Sequence, residues 1–247
     1  MTNVVGPRAV FGVVVPSTNT VVEHDYWRAA VPGVSYRAGS MYLPNPVMAD
    51  DDGFRALLTQ IRTAIDDAVR DVLTAEPDRM VMGMSAETFW GGVEGNASFE
   101  QRLRSRTGLP VTTGASACRA ALRALGCRRI AVFSPYQPVA DTEVARFFTE
   151  AGFEVTAITG LRCPTAQQIA RETPERIRVT VDAVDSPEAE AIVQVGTNLS
   201  FVAQADALER ELGKPVVAIN AATLWHALRE HGFDDRVEGA GSLLREH

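Results

Sequence analysis

Residues 79–95 read RMVMGMSAETFWGGVEG, and the fold turns on this run. A short apolar segment, Met80 to Met82, breaks at Gly83 into small and polar residues and then reaches Phe89, Trp90, Gly91 and Gly92. A buried parallel strand ends this way when its loop must approach a ligand, because Gly and Ser expose backbone N–H groups without bulky side chains. In open α/β sheets, ligands gather at such carboxyl ends. An ordinary strand-to-helix turn fits the run equally well.

The neighbouring segments repeat the theme. Ala9 to Val15 is a β-branched strand that leaves the sheet at Pro16, and Ser35 to Leu43 is a second strand closed by Pro44-Asn45-Pro46. Phe54, Leu57, Leu58, Ile61, Ile65, Ala68, Val69, Val72 and Leu73 recur at helical spacing, which predicts one long amphipathic helix. Further on, the pattern predicts helices over 98–106, 115–125, 138–151, 201–212 and 221–231, and a helical stretch over 165–184 broken at Pro174. Strands are expected in GLPVTTG and over 129–134, 153–158, 191–195 and 215–219.

Alternating strands and helices specify an α/β protein with parallel sheets. Two halves also match in order. RAVF at Arg8 echoes RIAVF at Arg129, the strand entering Gly83 echoes the one entering Gly196, and GLPVTTGASA at Gly108 echoes GKPVVAINAA at Gly213. The expected architecture is two duplicated half-domains with parallel sheets related by a pseudo-twofold, residues 1–115 with 220–247 forming one and 116–219 the other. Their strand-end loops would then meet in a cleft, a favoured place for a ligand.

The chain has 247 residues, 46% hydrophobic and 22% charged, with a net charge of −7. The acidity and the absence of any Lys/Arg cluster argue against nucleic acid or a membrane surface as partner. No apolar run reaches membrane-spanning length and the first residues do not read as a signal peptide, so a cytoplasmic protein is expected. The three cysteines, Cys118, Cys127 and Cys163, have no paired or metal-ligand spacing. A homo-oligomer is compatible with the sequence.

Donors concentrate on four loops: Ser17, Thr18 and Asn19 after Pro16; Ser85 after Gly83 and Met84; Tyr136; and Thr197 and Asn198 after Gly196. With the backbone beside both glycines they suit a carboxylate or a developing oxyanion. Thr20 and Ser200 read better as helix caps. Glu87, beside the aromatic pair, is a candidate acid if apolar surroundings raise its pKa, and equally fits a solvent-facing helix start. His24 reads as a surface residue one turn into a helix.

VVVPSTNTVVE (13–23), MGMSAETFWGG (82–92), GLPVTTGASA (108–117), RALGCRRIAVFSPY (123–136) and GKPVVAINAATLWHAL (213–228) together resemble the aspartate/glutamate racemase superfamily, in its branch of maleate cis-trans isomerases and arylmalonate decarboxylases. The resemblance spans nearly the whole chain. It implies two Rossmann-like half-domains with a small carboxylate substrate held between them, no metal or organic cofactor, and Tyr136 as a carboxylate-binding tyrosine. It further implies a substrate-binding set of Pro16, Ser17, Asn19, Gly83, Met84, Ser85, Tyr136, Gly196, Thr197 and Asn198. In the racemases and isomerases each half contributes a cysteine, and the decarboxylases keep the second. Here Gly83 and Gly196 occupy those positions. The expectation is therefore a decarboxylase-like lyase acting through an enediolate without the cysteine pair, with Glu87 and Tyr136 as catalytic candidates. The alternatives are a maleate isomerase-like enzyme and a carboxylate-binding protein without catalysis.

Overall fold

The structure is a computed structural model that describes residues 3–247. In its first half, β1 (Ala9–Pro16), α1 (Val22–Arg28), β2 (Val34–Met41), α2 (Asp51–Leu73) and β3 (Arg79–Met82) lead to the short α3 (Ala86–Phe89). α4 (Gly92–Thr107), β4 (Val111–Thr112) and α5 (Gly114–Ala124) follow. The second half runs β5 (Arg129–Ser134), α6 (Pro138–Glu150), β6 (Glu154–Gly160), α7 (Ala166–Ile169), α8 (Pro174–Val184), β7 (Ala191–Gln194), α9 (Val202–Leu212) and β8 (Val216–Ala218). The chain closes with α10 (Ile219–Glu230) and α11 (Ser242–Glu246).

Each half holds a four-stranded parallel sheet, ordered β2-β1-β3-β4 and β6-β5-β7-β8. The second order repeats the first strand for strand, as the matched sequence segments require. Strands β1, β3 and β7 are buried almost throughout, which explains why they read as continuous apolar runs rather than alternating ones. The long helix α2 starts where Asp50 accepts a hydrogen bond from the Gly53 N–H. It settles deep on the first sheet because Val72 fills the space where side chains at Gly12 and Gly39 would otherwise project. Helix α10 packs on α5 and α1, so the end of the chain returns to the first half.

The halves are tied by apolar and polar contacts. Phe89 packs edge-on against Phe147 of α6 at 5.2 Å and beside Phe148 at 5.6 Å. The amino terminus of α4 receives carboxylates from α6: Glu143 Oε2 accepts from the Gly91 N–H at 2.9 Å, and Glu150 Oε2 from the Val93 N–H at 2.8 Å. These acids complement the helix dipole from across the domain boundary. That is why α4 begins at Gly92 rather than near Ser98, where the sequence alone places it. Thr165 and Thr173 cap α7 and α8, so the helical stretch splits just before Pro174, as expected. No helix among the described residues is long and apolar enough to cross a membrane.

Candidate active site between the two sheets

β1, β3, β5 and β7 end on the same side of the molecule, and their loops enclose a cavity of about 50 Å³ between the halves. The polar lining residues are Thr18, Asn19, Ser85, Tyr136, Thr197 and Asn198, gathered into one cluster by their hydrogen bonds. The remaining lining is apolar: Leu43, Met48, Phe54, Leu57, Ile61 and Ile169, with Pro16, Met84, Ala86 and Ala166. No acidic or basic side chain is among the lining residues.

The polar cluster is a connected network. Ser85 Oγ lies 2.5 Å from the Tyr136 hydroxyl, and the Thr197 N–H donates to Ser85 Oγ at 3.3 Å. Thr197 Oγ1 donates to the Gly83 carbonyl at 3.1 Å and accepts from Asn19 Nδ2 at 3.2 Å. Asn19 Oδ1 meanwhile accepts from the Val21 and Val22 N–H groups and so caps α1. Asn198 is a clasp: its Oδ1 accepts from the Thr20 N–H, and its Nδ2 donates to the carbonyls of Thr18 and Ala166. Behind the loop, Asn220 Nδ2 bridges the Thr197 carbonyl and the buried Asp25 carboxylate.

Tyr136 is buried, its ring edge-on to Phe54 at 5.2 Å. Burial pushes its phenol well above the ordinary value, with the Ser85 hydrogen bond only partly opposing the shift, so the proton stays on oxygen. Either hydroxyl can donate in the Ser85–Tyr136 bond; with Ser85 as donor, the tyrosine's own proton is free to face a ligand.

Two loops close the cavity from above. The chain around Val47 pairs antiparallel with that around Thr165, the Met48 N–H donating to the Pro164 carbonyl at 2.8 Å and the Ala166 N–H to the Pro46 carbonyl at 2.9 Å. Gln137 Nε2 donates to the carbonyls of both Met48 and Cys163, stitching this strap to the loop that carries Tyr136.

Of the residues expected from sequence, Pro16, Asn19, Met84, Ser85, Tyr136, Thr197 and Asn198 converge on the cavity. Ser17 does not: it is exposed, and its hydroxyl accepts from the Leu43 N–H, bracing the rim. Gly83 and Gly196 underlie the site instead of lining it. A side chain at Gly83 would meet Val15 Cγ1 at 2.5 Å, and one at Gly196, where φ is +118°, would run into Pro135. Glu87 as an acid needs correcting on geometric grounds. It faces a separate groove beside Trp90, and both carboxylate oxygens accept from Arg62 Nε at 2.9 Å. Arg62 lies on the outer face of α2, 25 residues earlier, with no local signal to announce the pair.

Sequence reasoning missed the apolar wall, because Phe54, Leu57 and Ile61 share the helical period of core residues. None of the three thiols lines the cavity. All are buried and held protonated by that burial, and Cys163 donates to Glu172 at 3.2 Å. Among the described residues, no group of three or more His, Cys, Asp or Glu side chains could hold a metal ion.

The fold of two repeated parallel sheets is shared with enzymes that act on small carboxylates. The Nocardia farcinica maleate cis-trans isomerase, solved as a cysteine-to-serine mutant with a covalently bound succinylcysteine intermediate, superposes with a TM-score of 0.85 at 23% identity over 97% of this chain and 99% of its own. Arylmalonate decarboxylase from Bordetella bronchiseptica is 29% identical over 95% of this chain and 96% of its own. A maleate isomerase from Pseudomonas putida is 26% identical over 94% and 96%. The sequence profile of the arylmalonate decarboxylase family matches residues 11–244, and the chain belongs to that family.

Proposed function

We propose that this protein is a cofactor-independent decarboxylase of a small α-substituted malonate, acting in the cavity between its halves. The observation that carries this reading is the division of the cavity lining into a donor-rich cluster and an apolar remainder without charge. One carboxylate of a malonate would accept from Asn19, the Thr197 loop and the Tyr136 hydroxyl, with Ser85 donating to the phenol oxygen behind it. The other, pressed among Leu43, Met48, Leu57 and Ile61, would lose its hydration without gaining donors. Loss of carbon dioxide relieves that mismatch, so the site favours the transition state over the bound substrate.

In this scheme the C–C bond to the unsolvated carboxylate breaks and its electron pair passes into an enediolate held by the neutral donors. The phenol proton of Tyr136 then moves to carbon, and water returns a proton to the phenolate. Glu87 stays outside the scheme, because Arg62 holds it in another groove. At about 50 Å³ the cavity is far smaller than a typical ligand pocket of roughly 300 Å³ or more, so small alkyl substituents fit before aryl ones do.

Isomerisation is the second reading, supported by the relatives of that class. It is less favoured because maleate keeps both carboxylates throughout, and because no thiol lines this cavity where the Nocardia enzyme's structure contains a succinylcysteine. Retention of the cleft for binding alone is the third. We further propose 1–115 with 220–247 and 116–219 as the two units, supported by the return of α10 to α1.

Proton NMR in deuterated water with methyl-, ethyl- and phenylmalonate and with maleate separates the readings. The expected result is an α-deuterated monocarboxylate from a malonate and no fumarate. Tyr136→Phe should lower kcat/KM by about 100-fold or more. Fumarate without malonate decarboxylation would favour the second reading, and no conversion of any of these compounds would favour the third.

A further inference from the structure

The hydroxyl of Tyr136 can serve the cavity only if its backbone is held in place, and the structure fixes that backbone from both sides. The Tyr136 N–H donates to Ser134 Oγ at 3.0 Å, and the Ser134 hydroxyl donates to Asp141 Oδ1 at 2.5 Å. On the other side, Arg162 Nη1 donates to the Tyr136 carbonyl at 2.7 Å and to Asp141 Oδ2 at 2.5 Å. The ring of contacts closes on Asp141, whose carboxylate is buried.

Two features of the chain serve this ring. Arg162 has φ of +55°, the left-handed region that a long side chain adopts only under constraint. Gly160 leaves empty the space beside the Tyr136 carbonyl that the guanidinium occupies: a side chain there would meet Arg162 Nη1, Tyr136 O and Asp141 Oδ2 together. A strand end needs neither a left-handed arginine nor an empty flank. Both are accounted for by bringing the guanidinium onto the Tyr136 carbonyl.

We propose that Arg162 and Asp141 are positioning residues for Tyr136, fixing the phenol against Ser85 from outside the cavity. The functional side of this proposal rests on the reading of Tyr136 as proton donor. The structural side does not, and it can be tested without turnover. Arg162 also sits one residue before the strap at Cys163 and Pro164, so the same guanidinium links strap and tyrosine.

The test uses the full chain labelled with ¹³Cζ-tyrosine, with the Tyr136 resonance assigned through Tyr136→Phe. In the unsubstituted protein that resonance should remain at its neutral-phenol position up to about pH 12. Arg162→Gly relaxes the left-handed backbone but leaves the buried Asp141 carboxylate with Ser134 alone, so the melting temperature should fall while the other native signals persist. The Tyr136 signal should nevertheless broaden and begin to titrate below pH 12. Asp141→Asn should move the same signal, and Arg162→Lys should restore part of it.

On a substrate the unsubstituted protein converts, Arg162→Gly should lower kcat by about 10-fold and change KM less, the signature of a misplaced reacting group. An unchanged Tyr136 resonance in both Arg162→Gly and Asp141→Asn would overturn the proposal. So would a Tyr136 change in Arg162→Gly that appears only together with a general loss of native signals. If the unsubstituted protein converts nothing, the reading of the reaction fails, while the resonance still decides the positioning.

Discussion

After β3 the chain offers the cavity a side-chain hydroxyl, Ser85. After β7, the equivalent strand of the second half, it offers the N–H of Thr197 to that same hydroxyl and sends Thr197 Oγ1 back to the Gly83 carbonyl. The two loops occupy equivalent places in the two halves and interlock. Their glycines differ as well. Gly83 is excluded from bearing a side chain by crowding against Val15, whereas Gly196 is excluded by its left-handed backbone together with Pro135. The two positions are thus closed to side chains in two independent ways. The proposed reaction draws its proton from the hydroxyls between them.

The comparison can be broken most directly at Ser85. Ser85→Ala removes both the partner of Tyr136 and the acceptor of the Thr197 N–H, and turnover of a malonate should fall by about 100-fold. Thr197→Val keeps that N–H and should cost about 10-fold, measured in the same assay. An equal loss in the two variants would show that the halves contribute alike.

Cysteines returned to the two glycine positions should differ in stability. Gly196→Cys combines left-handed strain with overpacking, together about 2–4 kcal/mol, while Gly83→Cys meets overpacking alone, about 1–3 kcal/mol. In thermal melts the first should therefore fall further than the second, by roughly 2–4 °C. Neither variant is expected to gain exchange of an α-proton.

The smallest effect concerns Asp25, which backs the Thr197 loop through Asn220. Burial raises its pKa, with hydrogen bonds from Asn220 and His24 opposing the rise. The native state therefore holds this proton more tightly than the unfolded chain does. The resulting stabilisation is complete below the unfolded value near 4 and is lost as pH rises through the higher native value. Asp25→Asn cannot ionise and should melt a few degrees above the unsubstituted protein at pH 8, with the gap closing as pH falls towards 4.

Much of the fold was legible because strands β1, β3, β5 and β7 are short apolar runs with clear stops, and because α2 keeps its period from Phe54 to Leu73. The start of α4 was not, since its caps are Glu143 and Glu150 of the other half, about fifty residues away in the chain. The donors of the site could be read because they follow strand ends. Its apolar wall could not, because a residue facing a cavity and a residue facing a core obey the same spacing. Glu87 misled for a related reason: local surroundings suggested an acid in an apolar site, and a distant arginine decided where it points.

The strap over the cavity is written in main-chain atoms. Val47 and Thr165 pair through peptide groups, and Gln137 reaches two carbonyls. Side chains on the strap can therefore change without unfastening it. Met48, Ala166 and Ile169 both face the cavity and ride on this latch or beside it. Substrate preference can drift at those three positions while closure is inherited unchanged, which makes the strap the part of the molecule where new specificities are most accessible to evolution.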